Sequence, residues 1–402
     1  MNRKQLTLLI VLAVVLGGLG WLAYKKRMDA YQDSMAQMGA QLFPNFPIND
    51  VERVTIKAST NEINLLKKDE IWTMGERDNY PANWNNISDF LRRVYDLKVA
   101  RPMKIGPSRL APLQLLPPEK GGTYVEFKDK NGKVIKSLTL GAKHMKEAPA
   151  DSQFGGGAWP DGRYVMAGTN LNAVALVQEA FSTIEGKPED WLNKDWFKVE
   201  KLKSISVVTT NSTNNWTISR ETETGEWKLA EAKPGEVLDA SKSSGAGTVF
   251  SSPTFNDVAT GAASGVTGLD KPLVTATLEA FDGEVYTARI GNKVGDDSYY
   301  FQLAVVGNFP SERVPGKDEK PEDKDRLDKE FKDKLAKSQE KLKTEKAYEK
   351  WTYVVSKWTV DPLLKERKDL LAEKKAEPKP ESATKDEAIG EDLIPKLLPD
   401  PK

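Results

Sequence analysis

Much of this chain is written twice. RVTIKAS at 53–59 is answered by KSISVVTT at 203–210, and NEINLLKKDEIWTM at 61–74 by NNWTISRETETGEWKLA at 214–230, with Trp227 in the place of Trp72. TYVEFKDKNGKVIKSLTLG at 123–141 is answered by TATLEAFDGEVYTARIG at 275–291, where Asp282-Gly283 replaces Asn131-Gly132 and Gly291 matches Gly141. Alternating apolar and polar residues mark strands. Asn-Gly and Asp-Gly supply the positive φ that a tight hairpin turn requires. A chain repeated in this way is expected to form two like modules, each a twisted, mainly antiparallel sheet with helices packed on it to cover its apolar face.

In the first copy a helix is expected in NWNNISDFLRRVYDL, where Ile87, Phe90, Leu91, Val94 and Leu97 recur at helical spacing. A closing strand and helix are expected in RYVMAGTNLNAVALVQEAF, and their counterpart in TYVVSKWTVDPLLKERKDLL pairs Tyr353 with Tyr164 and Val354 with Val165. That match spans 189 positions, against 151 between Val54 and Ile205, so the second copy carries 38 inserted residues. The charged run 315–350 is the insertion. Leu327, Phe331, Leu335 and Leu342 form a narrow apolar stripe on it, expected of a solvent-projecting helix or of one that binds a partner. Where the first copy has its amphipathic helix, the second has SGAGTVFSSP and ATGAASGVTG, which read as loops or weak helix.

Residues 6–24, LTLLIVLAVVLGGLGWLAY, carry no charge and as a helix would measure about 28 Å, enough to cross a bilayer. Arg3 and Lys4 precede the run, Lys25, Lys26 and Arg27 follow it, and Trp21 and Tyr24 suit an interfacial belt. No small-x-small cleavage site ends the apolar run, which favours an uncleaved anchor over a signal peptide. The expected fold is therefore α+β: an N-terminal transmembrane helix, two duplicated units, and a charged helical insertion in the second. By residue, the expected parts are an anchor over 1–27, a spacer over 28–49, a first unit over 50–190, a second over 191–372 and a flexible tail over 373–402, whose apolar residues are too few to fold.

The 59 basic and 59 acidic side chains cancel, so no global field draws the chain to nucleic acid. With no cysteine and one histidine, thiolate chemistry and multi-histidine zinc sites are excluded. His144 sits in polar GAKHMKEAPA and reads as an ordinary surface residue. No phosphate-binding glycine loop is present, and Ser338-Gln339-Glu340-Lys341 lacks the companion motifs of a penicillin-binding site. No catalytic residue, cofactor or metal is therefore assigned. The candidate contact residues are aromatic or apolar. Trp191, Trp196 and Phe197 fall at the junction of the two copies, where they either wedge the units together or form a platform for a sugar ring or peptide. Trp159 lies in the loop AWPDGRY, and Phe331 and Leu335 lie on the insertion.

TGLDKP at 267–272, the Asp-Gly hairpin, the strand ending Arg-Ile-Gly and the later Tyr-Val-Val strand, behind an apolar leader and EIWTM and GEWKL hairpins, together resemble a family. It is the bacterial domain-of-unknown-function family found beside gliding-motility-type ABC transporters. The resemblance covers roughly 50–310 and 351–371, and LAPLQLLPP in the first copy departs from the GLDKP form. It implies a single-pass protein of the bacterial inner membrane with its bulk outside the cytoplasm. Its expected partners are the lipid bilayer through residues 6–24 and a membrane protein such as an ABC transporter subunit. The expected function is that of a non-catalytic accessory or scaffold protein, the alternative being a module that binds envelope glycan or another ligand.

Overall fold

In a computed structural model the described residues are 16–22, 24–25, 37–147, 157–184, 187–261, 264–316 and 319–373. They form two antiparallel sheets. The first contains β1 (Arg53–Lys57), β2 (Glu62–Lys68), β3 (Ile71–Met74), β4 (Tyr80–Pro81), β5 (Val99–Met103), β6 (Thr123–Lys128), β7 (Val134–Glu147), β8 (Ala158–Ala167) and β9 (Val174–Val177), in the order β4-β3-β2-β1-β6-β7-β8-β9-β5. The second contains β10 (Leu202–Thr209), β11 (Trp216–Ser219), β12 (Lys228–Leu229), β13 (Asp257–Ala259), β14 (Val274–Ala280), β15 (Glu284–Val294), β16 (Ser298–Gly307) and β17 (Thr352–Ser356), in the order β12-β11-β10-β14-β15-β16-β17-β13. Apart from β4, the two orders are the same walk through the sheet.

Register repeats as well as order. Val54 faces Phe127 on one side and Leu65 on the other, and Ile205 faces Leu278 and Ile218. Among their register slips, the two sheets share one at a matching place, between Leu140 and Lys143 in the first and between Ile290 and Lys293 in the second. The glycine at each slip explains the site. A Cβ on Gly141 would lie 2.3 Å from the Leu113 carbonyl oxygen and 2.8 Å from the Leu115 side chain, and one on Gly291 would lie 2.1 Å from the Thr267 oxygen and 3.2 Å from Leu269. In each copy the segment leading into the sheet crosses the bulge so closely that only glycine fits.

Among the described residues after 37, the α-helices are α1 (Trp84–Tyr95), α2 (Ala240–Gly247), α3 (Ser264–Thr267), α4 (Lys324–Lys346) and α5 (Lys357–Leu364). Asn83 caps α1 by accepting the Asn86 N–H, and Ile87, Phe90, Leu91 and Val94 form its buried face. The glycine- and serine-rich α2 is short because its composition favours helix weakly, and Trp227 packs so closely against Gly247 that a Cβ there would sit 2.5 Å from the indole nitrogen. One set of buried apolar side chains runs through both sheets, from Phe43 and Phe46 ahead of β1 to Leu370.

Three expectations require correction. The N-terminal transmembrane helix of the expected fold does not stand: among the described residues no helix is long and apolar enough to cross a membrane. Residues 16–22 and 24–25 are helical and exposed, and 6–15 and 23 lie outside the described residues. The described residues are sheet-rich. Next, LNAVALVQEAF is not a helix: Val174–Val177 is a strand held between β5 and β8. Tyr353 therefore matches this strand and not Tyr164, and the true partner of β8 is β16, SYYFQLAVVG. Finally, the insertion does not project into solvent. Its helix α4 lies on the second sheet, Leu342 packing at Gly307, Lys334 Nζ 2.5 Å from Asp282, and Glu349 accepting the Val305 N–H at 2.7 Å.

Candidate interaction surface

The junction is built from a short extended segment. Its Leu192 pairs with Ala82, the Asn83 N–H donates to the Trp191 carbonyl at 2.7 Å, and the Asn193 N–H donates to Pro81 at 2.9 Å, so it prolongs the edge of the first sheet. Trp191 turns into that unit and meets Phe90 edge-on at 6.1 Å. Trp196 turns into the other, with ring centres 4.6 Å from Phe197, 5.2 Å from Phe255, 5.4 Å from Phe301 and 4.7 Å from Tyr353. Tyr80 of the first unit enters the same cluster, 4.7 Å from Trp351 and 5.6 Å from Phe255. Exposures of 3 % for Trp191, 8 % for Trp196 and 0 % for Phe197 leave no ring face in solvent. These three residues fill the joint between the sheets.

Polar contacts fasten the rim of the joint. Arg77 donates from Nε and Nη2 to the two carboxylate oxygens of Asp257 at 2.7 and 2.8 Å. Lys194 donates to the carbonyls of Asn256 at 2.7 Å and Phe255 at 3.3 Å, and burial lowers its pKa. Beneath α4, Glu345 accepts the Lys198 N–H at 3.1 Å and the Tyr286 hydroxyl at 2.8 Å, tying linker, sheet and helix together. Phe331 and Leu335 are half-buried on that helix.

Trp159 has a different setting. Beyond Leu140, β7 loses β6 as a neighbour, and ahead of Arg163, β8 has no pairing to β9. Lys143–Glu147 and Ala158–Arg163 therefore leave the sheet as a two-stranded ribbon, with Trp159 opposite Lys146 and His144 opposite Gly162. Residues 148–156, between the two strands, lie outside the described residues. Trp159 is 45 % exposed and Met145 49 %. His144 Nδ1 lies 2.6 Å from Asp161 Oδ1, a contact that holds the Asp161 carboxyl below its ordinary range. Thus the ribbon carries an exposed indole beside an ordered His–Asp pair. The sequence singled out Trp159 but left His144 as ordinary surface, because the partner across the ribbon was not visible.

Trp358, 75 % exposed on α5, and Trp84, 54 % exposed and stacked on Trp72 at 6.3 Å, were also missed. Each lies within a helix, where a lone tryptophan looks like core.

A protein family described as a domain of unknown function (DUF4340) matches residues 72–272, half of the chain. No curated protein and no solved structure matches.

Proposed function

The chain belongs to the DUF4340 family, and on that footing we propose that it is a non-catalytic accessory or scaffold protein acting by surface contact in a bacterial envelope complex. An ABC-type transporter subunit is the proposed partner. The observation carrying the reading is the ribbon. Two sheets joined by a buried aromatic wedge make a firm base, and from it projects a narrow arm with Trp159 and Met145 in solvent. Exposed tryptophan beside polar residues is the composition of a contact hot spot. The resemblance to proteins encoded beside ABC transporters supports a place at the inner membrane.

The test is crosslinking in whole cells followed by detergent purification of the full chain. A membrane-protein partner is expected with the native chain, and its yield should fall about tenfold for Trp159→Ala, while the melting temperature of the variant is unchanged. A native chain always recovered alone would overturn the proposal. A variant that retains its partner in full removes the ribbon as the contact.

A further inference from the structure

The ribbon carries a feature that its role as a contact leaves unused. His144 is the sole histidine of the chain, and imidazole is the side chain whose ordinary pKa lets it change charge between about pH 5 and about pH 8. It stands at an irregularity. His144 pairs with Gly162 and Met145 with Pro160, so Asp161 is the extra residue of a bulge in β8. A bulge bends its strand and re-aims the side chains beside it. The 2.6 Å contact from His144 Nδ1 to Asp161 Oδ1 joins the two strands at that bulge, and side chains 36 and 35 % exposed leave the pair open to protons from solvent.

Trp159 lies two residues before the bulge, opposite Lys146. Alternation along the strands puts His144, Lys146 and Trp159 on one face of the ribbon. Among the described residues, the groups that face the imidazole are the Asp161 carboxylate, the Tyr164 ring, edge-on with centres 6.0 Å apart, and Lys146, whose charge acts on Asp161. Lys143 and Glu147 alternate onto the other face, and Arg163 turns inward to donate to the Gly141 carbonyl at 2.8 Å. Of these side-chain types imidazole alone ordinarily titrates near neutral pH. With the proton on, its bond to the carboxylate is charge-assisted and roughly twice as strong as the neutral form. The bulge is then held firmly, and loss of the proton slackens the hold.

We infer that the His144–Asp161 pair is a proton-operated pin that sets how the bulge presents Trp159, and so regulates the contact made by the ribbon. Its bearing on a partner rests on the ribbon being that contact, whereas the pin itself is read in the isolated chain. The test is NMR of the full chain with isotope-labelled indole nitrogens between about pH 5 and about pH 8, following the His144 Cε1 proton and the Trp159 indole signal, the latter assigned by its loss in Trp159→Phe. The two signals should move with one midpoint. His144→Gln and Asp161→Asn should each flatten the Trp159 curve, with melting temperatures within a few degrees of native. A Trp159 signal that stays still while His144 titrates overturns the pin. So does a Trp159 response that survives Asp161→Asn, because it would then report only the field of the imidazolium. In the whole-cell crosslinking, the native chain should recover about threefold more partner at about pH 6 than at about pH 8, and His144→Gln equal amounts. Equal recovery by the native chain would overturn the regulation. No partner at either pH would defeat the ribbon as a contact, and the two NMR signals would still decide the pin.

Discussion

At the scale of single residues, the two glycines that match across the copies yield the sharpest prediction. Gly141→Ala and Gly291→Ala each force a methyl group against a backbone carbonyl that is itself fixed by the crossing segment, the Leu113 oxygen being bonded to the Ala142 N–H at 2.7 Å. Each should cost about 1–3 kcal/mol in urea denaturation, and an unchanged midpoint for either variant would show that the crossing segment yields freely. Glu345 gives a prediction of different sign. Burial raises its carboxyl above the ordinary 4.5, although Lys198 and Tyr286 both donate to it. A carboxyl raised by folding contributes its stability in full below the ordinary value and loses it as pH rises through the folded value. Glu345→Gln should therefore melt higher than the native chain at about pH 8, the difference closing towards about pH 4. A variant less stable at every pH would mean that the two hydrogen bonds outweigh burial. The glycine match was legible because identical backbone crowding leaves the same residue twice. The tie at Glu345 was not, because a glutamate among lysines in a charged run looks solvated until its helix is laid on a sheet.

Among the elements, strands with strict alternation were readable: β6 and β14 bury every second residue. The closing strands were not. TYVVS resembles RYVMA in composition, but strand identity is fixed by neighbours, and β17 lies between β16 and β13 as β9 lies between β8 and β5. The four residues of β9 also fit a helical spacing, and it is their pairing on both sides that makes them a strand. The chain after α5 is held by a polar pin. Arg367 donates to Glu236 at 2.7 Å and to the Glu231 carbonyl at 2.9 Å, while Trp216 donates to the Lys365 carbonyl at 2.9 Å. Arg367, with help from the Lys233 N–H, holds the Glu236 carboxyl down at about 2. A depressed carboxyl contributes stability that is complete above its ordinary value and vanishes as pH falls through the folded value. Hydrogen exchange at 367–372 should accordingly lose protection, beyond the intrinsic pH effect, between about pH 4.5 and about pH 2. Glu236→Gln should be insensitive over that window. Equal acid response in both chains would remove Glu236 from the pin.

The whole molecule raises the question of whether two copies of one plan behave as two domains. Duplication alone suggests that they do, since each sheet has its own inner face and the repeat boundary falls at Trp191–Leu202. The packing argues otherwise. Trp196 touches residues of β16 and β17 while Tyr80, from the first sheet, enters the same aromatic group, and buried side chains continue without a break from one unit to the other. Arg77 and Asp257 close the rim with paired hydrogen bonds, partly screened and worth about 1 kcal/mol. An interface of core character couples unfolding, so calorimetry and tryptophan fluorescence should report a single coincident transition for the native chain. Trp196→Ala should cost about 3–5 kcal/mol and separate that transition into two, because it unseats Phe255 and Tyr353, the rings against which Tyr80 of the first unit is packed. Arg77→Ala with Asp257→Ala should lower the transition without dividing it. Two transitions in the native chain would mean that the shared aromatics are contacts between independent domains, and the firm base from which the ribbon projects would be lost with them.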